Sequence, residues 1–182
     1  EELNKEGMHV IGVAAKKKSV GDTTVFHAED ETNMTFLGII AFLDPPKPDA
    51  KDAIRGLYDA GVHVKVISGD APVVVEHVCK LVGMKVGNQS AVTGSDLENM
   101  SDAELSSVVE KNDIFARLSP MQKKRVVDTL RNNGHVVGYM GDGVNDAPSL
   151  HDEDVGISVD NGTDVAKASA DIILLEKSLT VI

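Results

Sequence analysis

Only one cysteine, no tryptophan and 3% aromatic residues stand out in this chain of 182 residues. A single cysteine, Cys79, excludes an intrachain disulfide and a cysteine metal cluster. It sits in "VVVEHVCKLVG" at helical spacing with Val75 and Val82, which predicts a buried core thiol. The shortage of aromatics leaves valine, isoleucine, leucine and alanine to fill the core, a composition suited to parallel strands buried on both faces. No apolar run reaches the ~20 residues a membrane-spanning helix needs; the longest is "FLGIIAFL" at 36–43. The opening "EELNKEG" carries no basic-then-apolar leader. Basic charge is also scarce, with 18 Lys and Arg against 29 Asp and Glu and a net charge of -11. That balance argues against nucleic acid or an anionic lipid surface as the main partner.

What is present is ordinary for a globular chain: 42% hydrophobic and 26% charged residues, enough for about one domain. After Asp44 the sequence alternates between strand and helix. "TFLGIIAFL" reads as a buried strand, stopped by "DPPKP" because proline cannot continue a central strand. Ala50, Ala53, Ile54 and Leu57 mark a helix closed by Gly61. "VHVKVI" reads as a strand and "VVVEHVCKLVG" as a helix. Ser101 and Glu104 form a capping box for "DAELSSVVEK". "IFAR" is a short strand, Pro120 opens a helix through Leu130, and "HVVGYM", "DVGISV" and "DIILL" are further strands. Units of this length predict an α/β fold, a Rossmann-like parallel sheet flanked by helices. Residues 1–35 read differently: "MHVIGVAA" is a strand candidate, but "KKKSVGDTTVFHAEDETN" is polar and turn-rich, and Lys16–Lys18 read as a solvated strand end.

In open α/β sheets, ligands sit at the carboxyl ends of strands. Three such ends carry polar punctuation: Ser68-Gly69-Asp70, the run into Ser119-Pro120 and Lys123, and "GDGVNDAP" from Gly141 to Pro148. Taken singly, the first is also a turn with a helix cap, and Lys123 is also a solvated lysine. Together they suit a phosphoryl group. The Ser68 hydroxyl and Gly69 amide donate to its oxygens, Lys123 neutralises its charge, and Asp142 holds Mg²⁺, with Asn145 and Asp146 as nearby oxygen donors.

"GDGVNDAPSL", "ISGD", "FARLSPMQK" and "LDPPK" resemble, in order, the motifs of P-type cation-transporting ATPases, members of the haloacid dehalogenase superfamily. The likeness runs from residue 36 to the end, and the flanking sequence is most similar to the magnesium-importing branch. The resemblance implies that Asp142 binds the catalytic Mg²⁺ with Asn145 and Asp146 beside it. It implies that Ser68, Gly69 and Asp70 stand for the family's "TGD", and that Lys123 is its phosphate-contacting lysine. Asp44 and Lys47 match "DPPR" near the nucleotide and hinge, although lysine lacks the forked guanidinium of arginine. ATP is the implied substrate. The implied partners are the transported cation and the remaining domains of a membrane pump, with this piece on the cytoplasmic side.

The family's phosphorylated aspartate, in "DKTGT", does not occur in this sequence. Asp152 and Asp154 in "HDEDVG" have the superfamily's nucleophile spacing but lack its preceding apolar strand. The chain is therefore expected to be the C-terminal part of a phosphorylation domain (36–182) preceded by the tail of a nucleotide-binding domain (1–35), and inactive alone. Losing the nucleophile strand is expected to leave two strand edges open, to be filled by "MHVIGVAA" or by another copy. The alternatives are a soluble phosphatase of the same superfamily and a non-catalytic Mg²⁺-binding module.

Overall fold

The prolines at 45, 46 and 48 separate two kinds of structure. The computed structural model describes residues 3, 7–17, 25, 27–43, 45–84, 90–176 and 178–182. They fall into two compact units, Glu1–Asp44 and Pro45–Ile182.

In the first unit, β1 (Met8–Ala15) pairs antiparallel with β2 (Thr35–Leu43). The register runs from Met8 opposite Leu43 to Ala15 opposite Thr35, with an irregularity between Val13 and Ala14. His9 and Phe42, directly opposite each other, stack their rings at 5.5 Å. The sequence led us to expect a buried strand over 35–43, and burial is where that expectation fails. Phe36 and Leu37 are both 66% exposed, so both faces of the ribbon are apolar and open. A continuous apolar run signals that a strand wants cover, but the run cannot say what provides it. Because β2 pairs with β1, residues 36–43 belong with the first unit, whereas the expected boundary followed residue 35. Among the described residues β1 pairs with β2, so "MHVIGVAA" is not the strand expected to fill the open edges.

The second unit alternates as expected. It runs α1 (Ala50–Asp59), β3 (Val66–Ile67), α2 (Pro72–Leu81), β4 (Val92–Thr93), α3 (Gly94–Glu98), α4 (Asp102–Lys111), β5 (Ile114–Ala116) and α5 (Pro120–Asn132). Then follow β6 (Gly138–Met140), α6 (Ala147–Asp152), β7 (Val155–Val159), α7 (Asp164–Ser169) and β8 (Ile172–Leu174). The helix starts obey local chemistry. Ser101 and Ser119 accept the amides of Glu104 and Gln122 as N-caps, and Pro72 and Pro120 occupy first-turn positions where no amide is needed. Gly61, with φ +81°, closes α1 in the left-handed region.

All strand pairs here are parallel, in two three-stranded sheets ordered β3-β5-β4 and β6-β7-β8. β5 is central to its sheet, and its period of two divides the core. Ile114 and Ala116 join Val75 and Cys79 on one face, while Phe115 joins Leu105, Val109 and Val126 on the other. Cys79 is fully buried, and burial pushes its thiol up to about 11, as an inert core thiol requires.

Among the described residues the two sheets share no ladder. On β3, the Val66 and Ser68 amides donate to the Asp113 and Phe115 carbonyls. The alternation of a strand then turns the backbone groups of Ile67 and Gly69 away from β5. On β6, the Gly141 amide donates to the Ile157 carbonyl and the Val137 carbonyl accepts from Val155, so Gly138 and Met140 turn away from β7. Ile67 and Val137 pack against both neighbouring core clusters, so the two one-sided edges border one core. Among the described residues no helix is long and apolar enough to cross a membrane.

Candidate phosphoryl site

The polar residues expected to act together lie at the carboxyl ends of β3, β5 and β6. At the end of β3, the Ser68 hydroxyl donates to Asp70 Oδ2 at 2.9 Å, and the Asp70 amide donates back to Ser68 Oγ at 3.0 Å. Gly69 and Asp70 are exposed. The same turn is laced to the end of β5: the Leu118 amide donates to the Ser68 carbonyl and the Arg117 amide to the Asp70 carbonyl. Arg117 adopts φ +53°, a left-handed conformation that costs a non-glycine residue energy and that these two bonds hold in place.

Past β5, Ser119 and Pro120 start α5, which carries Lys123 inward within its first turn. Lys123 is not the solvated lysine that its basic neighbours suggest. Its Nζ donates to Asp146 Oδ1 at 2.7 Å, and the two side chains are only 12% and 14% exposed. Asp146 is the last residue of the 3₁₀ turn Val144–Asp146 and the N-cap of α6. Its Oδ1 also accepts the Tyr139 hydroxyl at 3.0 Å, and its Oδ2 accepts the Gly143 amide at 3.3 Å. A Cβ on Gly141 would lie 2.5 Å from that of Asp146, so the carboxylate reaches this position only because residue 141 is glycine.

Asp142 is arranged differently. Its carbonyl accepts the Thr163 amide at 2.8 Å, which ties the loop to the start of α7. Its carboxylate is exposed and, among the described residues, has no hydrogen bond or ion pair. Asn145 is exposed on the same loop. No group of three His, Cys, Asp or Glu side chains suited to a metal occurs among the described residues. One free carboxylate with a neighbouring amide oxygen still fits Mg²⁺, which keeps several waters and takes its remaining oxygens from phosphates.

The structure thus joins Lys123 to Asp146 and Ser68 to Asp70. No direct bond links the two pairs. Lys47 is exposed just before α1, and Asp44 lies outside the described residues. Asp152 pairs with Lys124 at 3.0 Å, and Asp154 accepts the Val137 amide at the amino ends of the strands, so neither sits with the site. A groove of about 400 Å³ at those amino ends is lined by Asp128, Arg131, Asn132, His135 and Asp154. Its arginine is already committed to the Asp152 carbonyl, with Asp154 at 3.5 Å and Glu153 at 3.8 Å. The sequence reading missed Tyr139, because a tyrosine in a strand signals core. The only available clue was its period-two placement, which points it away from exposed Gly138 and Met140. Burial first and the Asp146 charge second push its pKa well above the usual tyrosine value.

Residues 7–153 match the family described as haloacid dehalogenase-like hydrolase. Over its whole length the chain is 51% identical to the magnesium-transporting ATPase, P-type 1 of Salmonella typhimurium. It is 46% identical over 99% of its length to the protein of the same name from Escherichia coli strain K12. It is 35% identical over 99% of its length to calcium-transporting ATPase 1 of Bacillus cereus. In each case the match covers 20% of the relative.

Proposed function

The chain belongs to the haloacid dehalogenase-like hydrolase family, and from that premise we propose that it is the phosphoryl-handling segment of an ATP-driven P-type cation pump that moves Mg²⁺. The observation that carries this reading is that two one-sided strand edges, β3 and β6, border one core through Ile67 and Val137, and that β3 ends at Ser68 while β6 ends at the loop bearing Asp142 and the partner of Lys123, Asp146. An acceptor strand between those edges would bring its carboxylate to these groups. This chain has no "DKTGT" to supply it. Magnesium rather than calcium is supported by the higher identity to the magnesium transporters.

In the proposed reaction, an oxygen of that external aspartate attacks the γ-phosphorus of ATP. The bond to the bridging oxygen breaks and ADP leaves. The Gly69 amide donates to one transferring oxygen, and the Ser68 hydroxyl turns its single proton from Asp70 to another while the Asp70 amide keeps Ser68 Oγ in place. The Lys123 ammonium faces the charge shared between carboxylate and phosphoryl. Asp142, with Asn145, would hold Mg²⁺, which supplies further charge neutralisation, while Asp146 anchors the lysine. Water then hydrolyses the aspartyl phosphate, and the cycle drives the membrane part of the protein. Asp44 and Lys47 act at the nucleotide and hinge, and the segment works on the cytoplasmic side of the membrane.

The test is to incubate the 182-residue chain with γ-labelled ATP and Mg²⁺, with and without the parent protein's "DKTGT"-bearing segment. Acid-stable, hydroxylamine-sensitive label is expected only with the added segment. Label on the chain alone would overturn the reading in favour of a soluble phosphatase. No label under either condition would remove the phosphoryl assignment.

A further inference from the structure

Tyr139 links the apolar core to the charged pair. The residue is only 7% exposed, packing with Val127, Leu150 and Ala166. Val127 lies one turn beyond Lys123 on α5, and Leu150 one turn beyond Asp146 on α6, so each apolar contact shares a helix face with a polar one. The ring therefore stands behind the pair while the hydroxyl reaches Asp146 Oδ1 at 3.0 Å, the same oxygen that takes the Lys123 ammonium at 2.7 Å. With Gly143 on Oδ2, three donors converge on one carboxylate from α5, β6 and the glycine loop.

We propose that Tyr139 is a positioning residue: its hydroxyl fixes the Asp146 carboxylate and, through it, the Lys123 ammonium. The proposal rests on the phosphoryl-transfer reading for its effect on turnover, but the geometry it claims is measurable without it. A carboxylate held by one donor per oxygen can rotate, and the lysine would follow. A second donor on Oδ1, mounted on a packed ring, removes that freedom. Preorganisation of this kind matters because a charge displaced by an ångström loses much of its stabilisation of a transition state.

Tyr139→Phe removes the hydroxyl and keeps the ring, so no cavity opens. In the 182-residue chain carrying ¹⁵N-labelled lysine, hydrogen exchange of the Lys123 ammonium is expected to quicken about threefold or more. The Gly143 amide signal should move, while the amide signals of β7 stay in place. In the whole protein, kcat should fall about fivefold with the KM for ATP unchanged. Unchanged Lys123 and Gly143 signals would overturn the proposal, since the hydroxyl would then merely be satisfying itself. Moved signals with unchanged turnover in an active protein would overturn it too. If the unmutated protein transfers no phosphoryl group, the proposed function fails, and the two signals still decide the role of Tyr139.

Discussion

The two ends of the parallel strands use the same residue types for different ends. At the amino ends, charged and polar side chains are spent on one another. Lys65 Nζ lies 3.0 Å from Asp113 Oδ1, His63 Nε2 lies 2.7 Å from the same oxygen, and His135 Nε2 lies 2.8 Å from Glu110 Oε1. At the carboxyl ends one pair, Lys123 with Asp146, is mostly covered and tied down, while Asp142 is exposed and, among the described residues, without a side-chain partner. Ion pairs at a surface add little stability. Under the proposed function, the unmatched Asp142 carboxylate is the group that would take Mg²⁺. What separates a site from a stabilising cluster here is the group left unpaired, not the number of charges.

Asp142→Ala is the severest challenge to that contrast. It should lower phosphoryl transfer in the whole protein by roughly 10³-fold, the scale of losing a key electrostatic group. In the 182-residue chain it should abolish the Mg²⁺-dependent NMR shifts at 141–146, with the fold intact. An unmutated chain whose signals ignore Mg²⁺ would remove the metal assignment.

Lys123→Ala tests the buried pair. It leaves Asp146 uncompensated at 14% exposure and should cost about 3 kcal/mol in denaturant unfolding. A cost near that of a surface pair would make the two strand ends alike.

Glu153 is the exception at the amino ends. Its side chain is fully buried without a hydrogen bond, and burial pushes it up to about 7 despite Arg131 nearby. The folded carboxyl keeps its proton above the pH where the unfolded one, near 4.5, has lost it. Stability from this group is therefore present at low pH and lost as pH rises through about 7. Glu153→Gln should remove that decline and gain about 1 kcal/mol at pH 8, read from unfolding curves across pH.

The smallest effect belongs to Asp113. Burial raises its pKa, but Lys65 and His63 outweigh it, so the net shift is downward. Stability from the group is present above the ordinary value of 3.8 and lost as pH falls through the lowered one. Asp113→Asn should cost less than about 1 kcal/mol at neutral pH, and the cost should shrink with added salt.

Much of this was legible in the chain. Strand and helix alternation after Asp44, the capping box of Ser101 and Glu104, and the polar strand ends are local patterns fixed by backbone chemistry. Burial of 35–43 was misread because an apolar run records a need for cover without saying what provides it, and among the described residues β2 pairs with β1. Tyr139 was missed because a hydroxyl three-dimensionally beside Asp146 leaves no trace in spacing beyond a tyrosine in a strand.

By itself the sequence determined the α/β class, the motifs and the absence of an acceptor aspartate in "DKTGT" form. Those are properties of residue type and order, which local propensity and side-chain chemistry set directly. Only the tertiary structure decided that Lys123 is mostly covered against Asp146 and that, among the described residues, Asp142 has no side-chain partner and β3 and β6 each pair on one side. Each of these depends on which distant segments pack together. That choice is made by the whole core, through contacts between residues far apart in the chain.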